Sequence, residues 1–492
     1  MSTRYLLFIL ILCQTIIAYG EMNNTRESPN SDIIIEKSAT TNDTLDENMM
    51  QLDSMPIIDL SQYPEVNIKD LLDVYKSMDD ESDNKEALNL LDLLNKAKEN
   101  YILQAKNIAI QEAQATKESI YGRYSPSFDV GYGFNNVKKD SSSINSQQLQ
   151  VNANWVLFDG ASREFSLLSK DSLLKAAVAD KEFTQESVFL QVISWYYQYF
   201  SIRGQIIAMH QKYNSIKKNL AKIEVLYNAG LQTIEALEAL RAELNTTKYQ
   251  IEELNQNLKQ AKLQLALLSN YDIEKLKRDE LPNPQYEEKK SMNIMMLEEQ
   301  ANSLGYEVNV LTYWPTISIF DTYNWNFGLD KAITSDIFLS SNYPKHQNVF
   351  GVNIKWNIFS GFSTNRQKEA LRLSAMRLQT NILQAKKEQE NNIIIYKQAL
   401  QTSLAQINSA KASLKSATIA FNSIAQKYDA QLVPYTDYLD ALTKRYNAES
   451  LYIQSLNNYE LQKANYIFYS GQSILSYAVK NDEVDTPNKG MK

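Results

Sequence analysis

"VNANWVLFDG" occupies residues 151–160, and "VNIKWNIFSG" occupies residues 352–361. Five of the ten positions are identical across a separation of 201 residues. The likeness runs on in both directions. Trp155 and Trp356 each stand 72 residues before a tyrosine, Tyr227 and Tyr428, and the stretches between them align without a gap. Next, "YNAGLQTIEALEA" (227–239) answers "YDAQLVPYTDYLDA" (428–441), which is one residue longer; upstream, "YSPSFDV" (124–130) answers "YWPTISI" (313–319). A repeat this long means that one structural unit is used twice.

Each unit has a helical part without breakers. No proline lies between Pro126 and Pro282, and no glycine between Gly361 and Gly471. Val188, Val192, Trp195, Tyr199, Ile202, Ile206, Met209, Tyr213, Ile216, Leu220, Ile223 and Tyr227 alternate steps of four and three, a heptad seam. A second seam runs from Leu237 and Leu240 through Ile251 to Leu265 and Leu268, and the second unit repeats the first from Ile407 to Tyr428. The expected helices are 163–228 and 233–270 in a first repeat (61–285), and 363–430 and 436–470 in a second (286–478). At 1.5 Å per residue the longest would reach about 95 Å.

The other part of each unit alternates with period two. Phe128, Val130, Tyr132 and Phe134 oppose Ser127, Asp129, Gly131 and Gly133; Phe350, Val352, Ile354, Trp356 and Ile358 oppose Val349, Gly351, Asn353, Lys355 and Asn357. Four strands are expected, at 126–137, 147–158, 315–327 and 347–359, with polar loops at 138–147 and 328–346. A half-buried soluble sheet would alternate too. Lengths near those of a tilted membrane strand, small and polar inner faces, and aromatics (Trp155, Trp356, Tyr323, Phe359) near strand ends or on the outer face favour a transmembrane barrel. Four strands cannot close one, and lipid tolerates no open edge. Three copies would supply a 12-stranded barrel.

Bulk properties exclude other classes. Across 492 residues the net charge is −8, which argues against nucleic acid as a partner. There are two histidines, His210 and His346, and one cysteine, Cys13. His210 reads as a helix-surface residue and His346 as part of an extracellular loop, so no metal site, catalytic set or cofactor is expected. Residues 1–20, with Arg4 and "YLLFILIL", read as a signal peptide that carries Cys13 away. Residues 21–60 are polar and patternless and are expected to be disordered, and 479–492 form a C-terminal tail. No later stretch is long and apolar enough for a transmembrane helix.

With the doubled unit, the prolines opening each first strand (Pro126, Pro315), the W-x-x-F-x-G strand ends (Trp155, Phe158, Gly160; Trp356, Phe359, Gly361) and the tyrosine-led hairpin turns, residues 65–475 resemble the TolC-like outer-membrane efflux family. The resemblance implies a mainly α chain with membrane β. Coiled-coil hairpins would build a periplasmic α-barrel below the trimeric β-barrel. It also implies an outer-membrane channel-tunnel for tripartite efflux or type I secretion, partnered by a periplasmic adaptor and an inner-membrane pump. The six W-x-x-F-x-G residues would mark the barrel-to-helix junctions. The alternative is a secreted or periplasmic coiled-coil structural protein without channel activity.

Asp437 and Asp440, three apart, share one helix face. Spacing alone suits a solvated helix start; the resemblance implies a ring of carboxylates at the periplasmic entrance. Glu235 and Glu238 keep that spacing in the first unit and either line the neighbouring hairpin or are solvated. Tyr227 and Tyr428 close their seams and suit core packing, with hydrogen bonding across hairpins as the alternative; with Gly230, Glu235, Glu238 and Gln431 they are the hairpin-turn and gating candidates. Gly230 stands three residues after Tyr227, but Gln431 holds that place after Tyr428, so the second turn is expected to be shaped or gated differently.

Overall fold

The computed structural model describes residues 87–139, 142–327 and 345–485. The expected signal peptide with Cys13, the 21–60 segment, almost all of the 328–346 loop and the end of the tail lie outside them. The elements run α1 (Leu90–Ala97), α2 (Tyr101–Gly122), β1 (Ser127–Lys139), β2 (Ser142–Phe158), α3 (Ser162–Asn228), α4 (Ile234–Ser269), α5 (Met292–Val310), β3 (Thr316–Phe327), β4 (His346–Lys355), α6 (Ser363–Asp429), α7 (Tyr435–Tyr469) and α8 (Ile474–Asp485).

The heptad seams are the buried faces of two antiparallel hairpins, α3–α4 and α6–α7. Val188, Val192, Tyr199, Ile202, Ile216 and Ile223 are buried on α3, and Leu237, Leu240, Ile251, Ala261, Leu265 and Leu268 on α4. Midway along α3 a second face is buried as well: Phe189, Ile193, Tyr196 and Tyr197. Here α1, α8 and the connection between the repeats (Leu276, Leu281) close around the helix in one core with Ala464 and Ile467 of α7. Burying a side chain of this size is worth about 1.5–3 kcal/mol, so this waist is the chain's own hydrophobic anchor. Gly204 of α3 lets α7 come close, because a Cβ there would stand 2.6 Å from Ile453 Cγ2.

The sheet has strand order β1-β2-β3-β4, antiparallel throughout. Its register places Val130, Val151 and Tyr323 abreast, and Gly131, Gln150 and Asn324 on the opposite face. On that face Gln148 Nε2 donates to Asn324 Oδ1 at 2.9 Å. Gly351 leaves room for the Phe320 ring.

Several expectations are corrected. The 138–147 loop is largely strand, since pairing continues to Lys139↔Ser142. His346 is the first residue of β4, opposite Trp325, rather than a loop residue. β4 stops at Lys355, so Trp356 and Phe359 lie beyond it. The physical reason is the lack of a partner: β3 begins at Thr316, which already faces Lys355, whereas β2 continues to Phe158 against Ile317. α2 and α5 were not foreseen because each buries few residues, Leu103 and Ile120 on one and Ile294 and Ser303 on the other. The one-residue insertion after Tyr428 is absent near the turn. α4 and α7 start at Ile234 and Tyr435, 201 apart, so Asp437 and Asp440 are counterparts of Ala236 and Ala239 rather than of Glu235 and Glu238.

Candidate functional site

Two regions of each repeat carry the residues singled out by sequence. The first is the strand-to-helix junction. Gly160 and Gly361 take φ of +69° and +61°, followed by Ala161 and Phe362 at +62° and +64°. This left-handed pair turns the chain from the sheet into α3 or α6; glycine enters it without steric cost. The two tryptophans do the same job in both repeats. Trp155 Nε1 donates to the Tyr124 carbonyl, and Trp356 Nε1 to the Tyr313 carbonyl, each at 2.9 Å. Each of those tyrosines then reaches the following helix, Tyr124 Oη to Glu164 at 3.2 Å and Tyr313 Oη to Asn365 at 2.6 Å. Trp155 and Trp356 therefore tie each strand end to the turn that opens the repeat's first strand. Phe158 ends β2, just past a bulge at Val156/Phe158. Phe359, outside any strand, packs edge-on against Phe362.

The first junction has a lock that the sequence reading missed. Arg163, nearly buried, pairs with Asp159 at 3.1 Å and donates to the carbonyls of Arg123, Val156 and Leu157. One acceptor, Leu157, is the residue that the β2 bulge skips in the ladder, and the bond to Arg123 ties the bulge to the end of α2. The second repeat has Ser360 and Thr364 in the equivalent places, joined at 2.9 Å. The signal was the i,i+4 spacing of Asp159, inside the W-x-x-F-x-G motif, and Arg163, just after it.

The second region is the pair of hairpin turns. Contrary to expectation, they share one backbone path. Gly230 has φ +72° and Gln431 φ +60°. Gly230 N–H reaches the Tyr227 carbonyl at 2.9 Å and Gln431 N–H the Tyr428 carbonyl at 3.0 Å; Leu231 and Leu432 N–H bond back to Leu226 and Lys427, both at 2.8 Å. The tyrosines differ. Tyr428 is buried and stacks on Tyr438 at 4.8 Å, whereas Tyr227 is 38% exposed. Burial raises the Tyr428 phenol pKa, and the Asp429 charge adds to that. Lys222 of α3 pairs with Asp429 at 2.9 Å, joining the two hairpins.

The acidic residues are exposed but not equivalent. Asp440 is held by Lys444 at 2.6 Å, while Asp437 has the Thr436 hydroxyl at 3.5 Å. Glu238 pairs with Arg241, which also binds Glu224. Glu235 accepts from its own backbone N–H at the start of α4 and from Thr233, which holds its carboxyl below the usual range. His210 is exposed on α3, and His346 Nδ1 lies 2.9 Å from Tyr323 Oη. Among the described residues no cluster of three or more His, Cys, Asp or Glu could hold a metal, and no helix is long and apolar enough to cross a membrane.

Residues 93–270 match the family model for outer membrane efflux proteins. The Campylobacter jejuni CmeC outer membrane channel superposes with a TM-score of 0.69 at 18% identity, covering 84% of this chain and 91% of that one. CusC, described by its transmembrane channel formation, gives 0.66 at 16% identity over 78% and 92%. The open state of the Neisseria gonorrhoeae MtrE outer membrane channel gives 0.63 at 14% identity over 78% and 89%. No curated protein sequence matches. By sequence, residues 93–270 are similar to outer membrane efflux proteins, and over about four-fifths of its length the chain has the fold of the TolC-like outer-membrane channels.

Proposed function

We propose that three copies close into a channel-tunnel. It would cross the outer membrane as a 12-stranded β-barrel, run through the periplasm as an α-barrel, and receive its cargo from a periplasmic adaptor and an inner-membrane pump. The observation that carries this reading is a four-stranded sheet with two open edges and one apolar, exposed face. Phe128, Val130, Tyr132, Phe134, Trp325, Phe350, Val352 and Ile354 all lie on that face and are all exposed. In water such a contiguous patch is an interaction surface left bare; against lipid it is a barrel exterior, and lipid then demands that the edges be paired. The opposite face carries Gln148, Gln150, Asn152 and Asn324, as a wet lumen requires. α3 and α6, each of 67 residues, reach about 100 Å from the sheet, enough to put the hairpin turns far into the periplasm. In the structural-protein alternative the apolar face would have no cover.

Detergent extraction followed by light scattering should give a trimer, and the trimer should form discrete conducting channels in planar bilayers. A monodisperse monomer stable in detergent-free buffer would overturn the reading.

A further inference from the structure

We propose that the base of the sheet's polar face, where it meets the helices, is a binding collar for multivalent oxyanions in transit, with Arg123 and Lys355 as its ligand-holding cations. This rests on the trimeric channel reading above and adds a ligand class to it.

An open cavity of about 800 Å³ lies at the join of sheet and helices, and both repeats build its walls. The end of α2 supplies Arg123, the strands supply Asn154, Thr316 and Lys355, and the start of α3 supplies Arg163. Strand alternation sets Asn154, Thr316 and Lys355 on the face opposite Val130, Val151 and Tyr323. In a closed barrel that face lines the lumen.

Three cations and one carboxylate line the cavity. The carboxylate, Asp159, is already engaged by Arg163 at 3.1 Å. Arg163 in turn donates to three backbone carbonyls. Arg123 and Lys355 are different. Both side chains are exposed, and among the described residues neither has a hydrogen-bond or ion-pair partner. The first turn of α3 adds to the positive field, because Ser162 and Arg163 open the helix here and Ala161 before them offers no side-chain cap.

The repeat separates this charge from the architecture. First strands are offset by 189 residues (Pro126, Pro315) and second strands by 201 (Trp155, Trp356), so the counterpart of Arg123 is Thr312 and that of Lys355 is Asn154. Both counterparts line the same cavity, and neither is charged. The fold therefore makes this junction without a cation at either place. Three copies would each bring two unpaired cations to one collar, roughly 100 Å from the hairpin turns. Low-dielectric walls focus such a field. Multivalent oxyanions gain most from it, and the arginine fork matches their geometry.

The test is single-channel recording of the full-length protein in planar bilayers, with inorganic tripolyphosphate as the probe. Tripolyphosphate should block the wild-type channel. Arg123→Gln/Lys355→Gln should weaken that block at least about tenfold and lower the anion-to-cation permeability ratio. Both side chains are exposed, so the variant should fold and assemble. Adding Asn154→Lys to it returns a cation to the same wall at the counterpart of Lys355, and should recover most of the block. Equal block in the wild type and the double variant, or no block of a conducting wild-type channel, overturns the collar and leaves the channel reading intact. A loss that Asn154→Lys does not recover at all also overturns it, since the cations would then act through local structure. A wild-type protein that forms no channel overturns both.

Discussion

Gln431 holds a left-handed conformation that its counterpart Gly230 enters freely. Left-handed backbone costs a side chain about 1–2 kcal/mol, and removing that side chain raises the entropy of the unfolded chain by up to about 1 kcal/mol. Gln431→Gly is therefore expected to stabilise the protein by about 0.5–1 kcal/mol, and Gly230→Ala to destabilise it by about 1 kcal/mol, read as shifts in the denaturation midpoint. A lowered midpoint in Gln431→Gly would mean that the glutamine side chain makes contacts outweighing the strain. Sequence marked the position but misjudged its shape, because six flanking hydrogen bonds, three per turn, impose one path on both turns whatever residue sits there.

Among the elements, the connection between α4 and α5 owes least to periodicity. It has no regular structure, yet its backbone is bonded at Lys275, Lys277, Asp279, Leu281, Gln285, Glu287 and Lys289. Tyr196 Oη donates to the Lys277 carbonyl and accepts from Asp279 N–H. Glu460 accepts from Leu281 N–H at 2.8 Å, Lys463 donates to the Leu281 carbonyl at 2.8 Å, and Gln472 reaches the Gln285 and Glu287 carbonyls. Burial raises the Glu460 carboxyl pKa, while Lys463, 2.9 Å away, opposes the rise. Lys463→Met should leave a buried carboxylate uncompensated and destabilise the chain by about 3–5 kcal/mol at neutral pH. The variant's folded-state pKa would rise further above the unfolded value. Its stability contribution is then present in acid and lost as pH climbs through that raised pKa, so the deficit should shrink from about pH 8 to about pH 5. Protease cleavage at 270–291 checks this; a pH-independent deficit would count against it. Side-chain-to-backbone bonds of this kind leave no repeating pattern, so this strap was not legible, whereas the heptad seams of α3, α4 and α6 were.

In the whole molecule, three copies would bring six aspartates, Asp437 and Asp440 of each, to the tunnel's inner end. A narrow low-dielectric throat would focus their field on cations. Lys444 already engages Asp440, so in such a ring Asp437 would be the stronger contributor. A trivalent cation added on the periplasmic side should block single channels. Asp437→Ala/Asp440→Ala should weaken that block at least about tenfold, and Asp437→Ala alone should weaken it more than Asp440→Ala alone. Equal block in all variants would return both residues to an ordinary solvated helix face. Neither aspartate is buried, so folding should survive the change.

Sequence alone determined the doubled unit, the hairpin seams, four alternating strands and the glycines that lead from strand to helix, Gly160 and Gly361, because each rests on local periodicity or on a single residue's conformational freedom. Tertiary structure decided what depends on neighbours distant in the chain. It ended β4 at Lys355 for want of a partner strand, placed Arg163 on the carbonyls beside the bulge, bound the inter-repeat strap to α3 and α7, and made Asp437 and Asp440 the counterparts of Ala236 and Ala239. Strand register and buried polar pairing are set by which surfaces meet, and no local pattern encodes that meeting.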